Sequence, residues 1–164
     1  MTQLPVDEAY RAPYMLNRQY QALISAYSAT NITLTGAGTI DGNGWGWWKN
    51  ISSPTNTNIC QSCTASPASC PHVCMVQRPK LVEFVDSTDV MISGLGLSQM
   101  LTLKDSPFWT LHPTFCTNVR IQFVNLRAPR DHGNTDGIDP DSCDNVHASD
   151  CHIEVGDDAI SVKS

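Results

Sequence analysis

Three aspartates near the end of the sequence are the residues best suited to acid–base chemistry. Asp136 lies in the segment NTDGIDPDSC, and the adjacent pair Asp157 and Asp158 follows in GDDAISVKS. Carboxyl groups that lie close together raise one another's pKa, because like charges resist ionising side by side. One carboxyl can then keep its proton as a general acid while a neighbour acts as a base. The three residues form a candidate acid–base site if the fold brings them together.

The composition is that of a folded, acidic protein. The chain has 164 residues, of which 41% are hydrophobic and 16% charged, and its net charge is -6. A chain of this length can bury a core, and its acidity argues against nucleic acid or an anionic membrane surface as a partner. No apolar run approaches the roughly 20 residues that span a bilayer. We expect a monomer that needs no cofactor.

The seven cysteines indicate an oxidising compartment. Four of them crowd into CQSCTASPASCPHVC, where two disulfides are a simpler interpretation than a zinc knot, which needs four converging thiolates. The first residues lack the basic start and apolar stretch of a secretory signal. We therefore predict a secreted, extracellular protein whose signal segment and N-terminal region lie outside this sequence. In DDAISVKS, apolar residues alternate with polar ones, and no turn or cap follows them. We therefore predict that residues are also missing at the C-terminal end.

Short strands separated by turn residues recur at a spacing typical of a coiled sheet. HPTFCTNV (112–119) and DPDSCDNV (139–146) match at Pro, Cys, Asn and Val, and FVDSTDV (84–90) ends in the same way. Ile138 and Ile160 are separated by a similar interval. Such a period predicts a coiled parallel sheet in which each repeat adds one coil and no coil buries its apolar face alone. An antiparallel sandwich, with a turn about every 8–12 residues, is the alternative.

The repeat divides the chain into an entry segment and a coil. We assign residues 1–30 to an N-terminal segment that leads into the coil, and residues 31–164 to the coils themselves. A short helix is expected over residues 17–27, where four apolar or aromatic side chains share one face. Residues from about 50 to 77 are polar and rich in cysteine and interrupt the repeat, so we expect a long inserted loop there.

A parallel coil would bring the acidic residues together. Neighbouring strands lie about 4.7–4.9 Å apart, and the interval from Asp136 to Asp157 is close to one coil, so Asp136 should stand beside the pair. Diagonal neighbours lie about 7–8 Å apart, which overlaps the separation of about 6.5–9.5 Å between the carboxyls of an inverting glycosidase. Adjacent strand residues point to opposite faces, so both members of the pair reach one cleft only at a bend, which Gly156 favours. Four other aspartates look like ordinary turn formers: Asp139, Asp141, Asp144 and Asp150.

The two aspartate motifs resemble those of the polygalacturonase family of glycoside hydrolases, family 28. GTIDGNGWGWW (38–48) and DSPFWTLHPTFCTNV (105–119) support the likeness, which covers nearly all of residues 20–164. The resemblance implies an all-β fold, a right-handed single-stranded parallel β-helix, of which this chain is expected to hold a part. It also implies the hydrolysis of α-1,4-linked galacturonan, the polysaccharide of pectin, with inversion.

The resemblance assigns roles to individual residues. Asp157 matches the general acid, while Asp136 and Asp158 match the pair that activates water. Three further residues fall at motif positions near the cleft and are expected to bind the substrate: Asn134, His112 and Lys163. For His112, packing or the capping of a turn is the alternative. No metal ligand is implied.

Two later motifs of the family, a glycine-flanked histidine and a basic Arg-x-Lys that binds the uronate, have no counterpart in this sequence. We therefore expect residues 1–164 alone to show little or no activity. Within the same fold, a hydrolase of rhamnogalacturonan or xylogalacturonan is an alternative. A non-catalytic pectin-binding β-helix is an alternative from a different functional class.

Overall fold

The computed structural model describes residues 20–51 and 78–164. Within these ranges the backbone forms short strands and one helix. In chain order the elements are β1 (Ile24–Tyr27), β2 (Thr30–Thr35), β3 (Thr39–Asp41), α1 (Trp45–Ile51), β4 (Val82–Val85), β5 (Thr88–Ser93), β6 (Leu101–Lys104), β7 (Leu111–Thr114), β8 (Thr117–Gln122), β9 (Val124–Arg127), β10 (Asp144–Ser149) and β11 (His152–Glu154).

The strands belong to three parallel sheets, and consecutive strands lie in different sheets. The first sheet has the order β1-β4-β7, the second β2-β5-β8-β10 and the third β3-β6-β9-β11. Each coil therefore supplies one strand to each sheet: β1–β3 form the first coil, β4–β6 the second and β7–β9 the third. Bridges from Ile138 to Leu111 and to Ile160 continue the first sheet into a fourth and a fifth coil. The described chain is a parallel β-helix, as the repeat predicts.

The register of the sheets follows the repeat in the sequence. Val90, Val119 and Val146 are the last residues of the three matched segments. Val90 pairs with Val119 in the second sheet, and Val119 pairs with Val146. Ile138 bridges Ile160. Residues that correspond in the repeat are therefore neighbours in the sheets, and the predicted stacking is confirmed.

The core lies inside the coil, where each strand contributes its alternate residues. In β8, Val119 and Ile121 are buried while Arg120 between them is exposed. Leu103 and Leu126 stack in the same way in the third sheet. Full burial of such a side chain contributes about 1.5–3 kcal/mol, and it depends on the coil above and the coil below.

Corresponding residues near the start of successive strands of the second sheet adopt left-handed backbone conformations. Four residues in register have φ angles between 56° and 59°: Asn31, Asp89, Asn118 and Asn145. Asn and Asp tolerate this region better than other non-glycine residues. The Asn145 side chain donates a hydrogen bond to Asn118 at 2.8 Å, and Asn118 donates to Asp89 at 3.0 Å. This ladder repeats the same turn in each coil and keeps the coils in register.

The prediction of a helix over residues 17–27 is wrong for residues 20–27, the part of this segment that the structure describes. β1 occupies Ile24–Tyr27 because it pairs with β4, with Ile24 opposite Val82. Its inward-facing residues Ile24 and Ala26 pack against the core, a contact that a helix would lose. The first strand therefore precedes residue 31, inside the segment assigned to residues 1–30. The short helix α1, in contrast, was not expected.

The cysteines fall into two groups. Residues 52–77 lie outside the described residues and include most of the predicted inserted loop. The cysteines for which disulfides or a zinc knot were considered are among them. Cys116 and Cys143 stack one above the other in consecutive coils, with the Cys116 N–H donating to Cys143 Sγ at 3.3 Å. Both are free thiols, and they pack against the core of the coil. Within the described ranges no helix is long and apolar enough to cross a membrane.

Candidate active site

The three acidic residues lie where the fourth and fifth coils enter the first sheet. The Gly137 N–H donates to the backbone carbonyl of Asp158 at 2.9 Å, and the Ile138 N–H donates to that of Ala159 at 3.1 Å. These bonds place the backbone around Asp136 directly beside the pair at 157 and 158. The stacking inferred from the sequence interval between them is therefore present.

The side chains of Asp136, Asp157 and Asp158 also converge. One carboxylate oxygen from each lies within 4.8 Å of the other two. Asp136 is buried, whereas Asp157 and Asp158 are exposed. These oxygens are closer than the separation of about 6.5–9.5 Å expected of an inverting glycosidase. Their spacing therefore does not itself support inversion, which rests on the family resemblance.

Glycine at two positions permits this close approach. A Cβ atom at Gly156 would lie 2.3 Å from the His132 carbonyl oxygen and 2.5 Å from that of Pro129. A Cβ atom at Gly137 would lie 2.5 Å from the Ala159 carbonyl oxygen. The chain bends after Gly156 instead of continuing as a strand, and the adjacent aspartates can therefore face the same cleft.

Asn134 lies at the site, and its backbone contacts Asp157. The Asn134 N–H donates to Asp157 Oδ2 at 2.6 Å, and the Asp158 N–H donates to Asp157 Oδ1 at 3.1 Å. Asn134 has a φ of 59°, a left-handed conformation that aims its N–H at the carboxylate. Its side-chain Oδ1 accepts a hydrogen bond from Arg78 Nη2 at 2.9 Å. The residue that the motif assigns to substrate binding thus also holds the candidate acid.

Burial changes the proton affinity of two neighbouring carboxyls. Burial, together with the charge of Asp157, raises the pKa of Asp136, while Lys163 and a hydrogen bond with Asp139 oppose the rise. Burial also raises the pKa of Asp139, to about 7, although Lys163 opposes this. Oδ1 of Asp136 and Oδ2 of Asp139 find no hydrogen-bond donor among the described residues. Two buried carboxyls in this situation are stable when they share a proton.

Lys163 reaches the site, but its ammonium group is already engaged. Its Nζ lies 2.9 Å from Asp139 Oδ1 and 4.2 Å from the centre of the Trp109 ring. The ion pair is largely buried, so Lys163 acts first as the counter-charge of Asp139. Direct binding of substrate by Lys163 stays a prediction.

His112 lies on β7 in the first sheet, and its side chain is buried. Its side chain is 1% exposed, its Nδ1 lies 2.9 Å from Glu83 Oε1, and it packs against Trp109. A side chain buried in this way offers no surface to a polysaccharide. The position favours the packing role that the sequence left as the alternative.

A buried charge cluster surrounds His112. Glu83 accepts hydrogen bonds from both Lys80 and His112, and all three side chains are buried. Burial alone would raise the pKa of Glu83, but the hydrogen bond with His112 and the charge of Lys80 outweigh it and lower the pKa to about 2. Glu83 is therefore ionised at neutral pH and binds both Lys80 and His112.

Asp139 and Arg78 were not among the site residues predicted from the sequence. A signal existed for Asp139: Ile138 points inward, so Asp139 must point outward in the same strand, toward the coil that carries Lys163. No sequence signal connects Arg78 to Asn134, which lies far along the chain and in another coil. Their contact depends on how two coils stack.

The same carboxylates are the described residues that could hold a metal ion. Asp136, Asp157 and Asp158 form a group of suitable geometry in the described part of the chain. No further feature of the site points to a cation, and the expectation of a metal-free site stays a prediction.

Comparison with known proteins identifies the family. The model of the glycosyl hydrolases family 28 matches residues 2–164. Over 147 residues the chain is 37% identical to a probable polygalacturonase of Vitis vinifera, covering 89% of this chain and 25% of that protein. It is 34% identical to a polygalacturonase of Cryptomeria japonica, covering 81% of this chain and 22% of that protein. The chain belongs to family 28 of the glycosyl hydrolases and spans about a quarter of the length of the curated relatives it matches.

Solved structures confirm the fold. An exopolygalacturonase from Thermotoga maritima superimposes with a TM-score of 0.67 at 24% identity, covering 90% of this chain and 36% of that chain. A polygalacturonase from Erwinia carotovora gives 0.68 at 23% identity, covering 87% and 34%. At this level of identity the likeness concerns the fold alone, and it confirms the predicted right-handed parallel β-helix.

The raised pKa of Asp139 leads to a prediction about stability. A folded-state pKa of about 7 exceeds the ordinary value of 3.8. Asp139 therefore contributes stability that is fully present below pH 3.8 and is lost as the pH rises toward 7. Because Asn cannot ionise, we expect Asp139→Asn to become more stable relative to the wild type as the pH rises from about 4 to 7.

Urea unfolding of both proteins at several pH values checks this prediction. Between pH 4 and pH 7, the free energy of unfolding of Asp139→Asn should rise relative to that of the wild type by about 3 kcal/mol. Asp144→Asn makes the same chemical change at an exposed position, the first residue of β10, and serves as the control. A difference between Asp139→Asn and wild type that is constant with pH would contradict the raised pKa.

Proposed function

We propose that this chain carries the acid–base centre of a hydrolase that cleaves α-1,4-linked galacturonan. The observation that carries the proposal is the convergence of Asp136, Asp157 and Asp158 from two consecutive coils, with oxygens within 4.8 Å. Family membership supports the reaction class. Such a cluster provides both a proton donor and a proton acceptor at one glycosidic bond.

The chemistry requires two coordinated proton transfers. Asp157 donates its proton to the glycosidic oxygen as the bond from that oxygen to C1 breaks. Asp136 and Asp158 hold a water molecule and accept its proton as the water oxygen attacks C1. The products are a sugar with a new reducing end and a shortened chain with a free hydroxyl. With attack from the opposite face, an α-linkage yields a β-anomer.

The members of the cluster differ in their surroundings. Asp157 is exposed and can reach a bound polysaccharide, whereas Asp136 is buried below it. Burial and the charge of Asp157 raise the pKa of Asp136, and the hydrogen bond with Asp139 and the charge of Lys163 limit that rise. The proposed partner is a pectic polysaccharide outside the cell, bound by a monomer.

Product analysis tests the reaction. Because the chain spans about a quarter of its relatives' length, we expect residues 1–164 alone to release few reducing ends from polygalacturonate. A longer active protein that contains this segment should release many. Proton NMR of the first product should show the β-anomer.

Two results would count against the proposal. An unsaturated product that absorbs ultraviolet light would indicate a lyase, and an α-anomer as first product would indicate retention. Rapid hydrolysis by residues 1–164 alone would contradict only the expectation that this segment is insufficient.

A further inference from the structure

Arg78 connects two distant parts of the chain at the edge of the acidic cluster. Its Nη1 donates to the carbonyl oxygens of Pro107 at 2.9 Å and Gly133 at 3.2 Å. Its Nη2 donates to Asn134 Oδ1 at 2.9 Å. The guanidinium group also lies over the Phe108 ring, 4.9 Å from its centre. Three directed hydrogen bonds and a stacked ring leave this side chain little freedom.

The atoms that Arg78 holds are those that orient the candidate acid. Asn134 has a left-handed backbone conformation, with φ at 59°, which asparagine tolerates better than most non-glycine residues. In that conformation its N–H donates to Asp157 Oδ2 at 2.6 Å. Contacts therefore run in sequence from Arg78 to Asn134 and from Asn134 to Asp157.

The charge of Arg78 also acts on the cluster. Burial lowers the pKa of Arg78 to about 10, and the negative charges of Asp136 and Asp157 oppose that change. Arg78 therefore stays protonated at neutral pH, within electrostatic range of both carboxyls. Two other cationic residues are paired elsewhere: Arg130 with Glu154 at the surface, and Lys163 with Asp139.

We propose that Arg78 is a positioning residue of the acid–base centre, which holds Asn134 so that the Asn134 N–H fixes the Asp157 carboxyl toward the substrate. Arg78 acts through Asn134 and does not itself exchange protons with the sugar. Lysine cannot replace it, because a single ammonium group lacks the planar fork that reaches three oxygens and stacks on a ring.

The first experiment does not depend on activity. Hydrogen exchange of the Asn134 amide is followed in residues 1–164 for the wild type, Arg78→Gln, Arg78→Lys and the control Arg120→Gln, which alters an exposed arginine on β8. We expect exchange of this amide to be at least about tenfold faster in both Arg78 variants. Exchange of the Ile121 amide in the core and all rates in Arg120→Gln should stay unchanged.

Two outcomes of this experiment would overturn the proposal. If the Asn134 amide exchanges as slowly in Arg78→Gln as in the wild type, Arg78 does not hold it. If all amides exchange faster by the same factor, Arg78 serves general stability and not the position of Asn134.

The second experiment concerns catalysis, and this part rests on the proposed function. In an active protein that contains the segment, Arg78→Gln should lower kcat by about tenfold with little change in KM, since misplacing a reacting group slows the chemical step. In Arg78→Gln, the acidic limb of the pH profile of kcat/KM should move to higher pH, because a positive charge near the carboxyls is lost. Arg78→Lys should restore the pH profile but not kcat. A higher KM with unchanged kcat would show that Arg78 binds substrate instead.

Asn134→Gly provides an independent check through the second residue of the connection. Glycine keeps the backbone conformation but removes the oxygen that Arg78 contacts. Combined with Arg78→Gln it should add little further loss of kcat, whereas independent effects would multiply. If the unsubstituted protein does not hydrolyse galacturonan, the proposed function fails, while the exchange experiment still decides the role of Arg78.

Discussion

Asp157→Asn should lower the rate of galacturonan hydrolysis by at least about 100-fold, the usual contribution of a general acid. The amide keeps one oxygen for the N–H of Asn134, while its nitrogen replaces the oxygen that accepts the N–H of Asp158. It holds no acidic proton for the leaving oxygen. The loss should therefore appear in kcat, with little change in the melting temperature.

The measurement compares initial rates of reducing-end release in an active protein that contains this segment. Asp150→Asn makes the same substitution at an exposed turn between β10 and β11 and should retain full activity. Asp136→Asn and Asp158→Asn should also be strongly impaired, because each removes an acceptor for the proton of water. A rate for Asp157→Asn near that of the wild type would remove Asp157 from the role of acid.

Glu83→Gln should lower the free energy of unfolding by about 3–5 kcal/mol at pH 7, the usual cost of removing one partner from a buried ion pair. Glu83 contacts Lys80 and His112, and all three are buried. The substitution leaves two buried cationic or polar side chains without their shared carboxylate. Neutral glutamine replaces its volume but not its charge.

Urea unfolding at several pH values tests this cluster. The pKa of Glu83 is lowered from 4.5 to about 2, so its contribution to stability is present above pH 4.5 and is lost as the pH falls toward 2. The difference in free energy of unfolding between the wild type and Glu83→Gln should therefore become smaller as the pH falls over that range. Glu154→Gln breaks the exposed pair with Arg130 and should cost no more than about 1 kcal/mol. A loss below about 1 kcal/mol for Glu83→Gln would show that the cluster does not stabilise the fold.

Much of the coil could be predicted because its local pattern is repetitive. Each coil places apolar residues at corresponding positions, as with Val90, Val119 and Val146 in the second sheet. Stacking these residues leaves one register that buries all of them. The similar offsets between matched segments therefore specified which strands pair, and the interval from Asp136 to Asp157 placed the candidate acids together.

Predictions that depended on local propensity alone were less successful. The segment that contains Ile24 and Tyr27 has a face suited to a helix, yet it forms β1 because β4 of the next coil supplies a partner. A strand of another coil thus decided between two locally acceptable conformations of this segment. His112 lies in a motif near the cleft and is bound by Glu83 from the previous coil, and its role in substrate binding stays a prediction.

The sequence by itself determined the class of fold, the register of the coils and the meeting of the three aspartates. These follow from periodicity, since a repeated apolar pattern can be buried only when equivalent positions stack. Tertiary structure alone decided which outward-facing side chains surround those aspartates. Arg78 reaches Asn134, and Lys163 neutralises Asp139, because turns and coils of different lengths bring them together. Burial then sets the pKa of Asp139, since the cost of a charge depends on the water excluded by the whole fold.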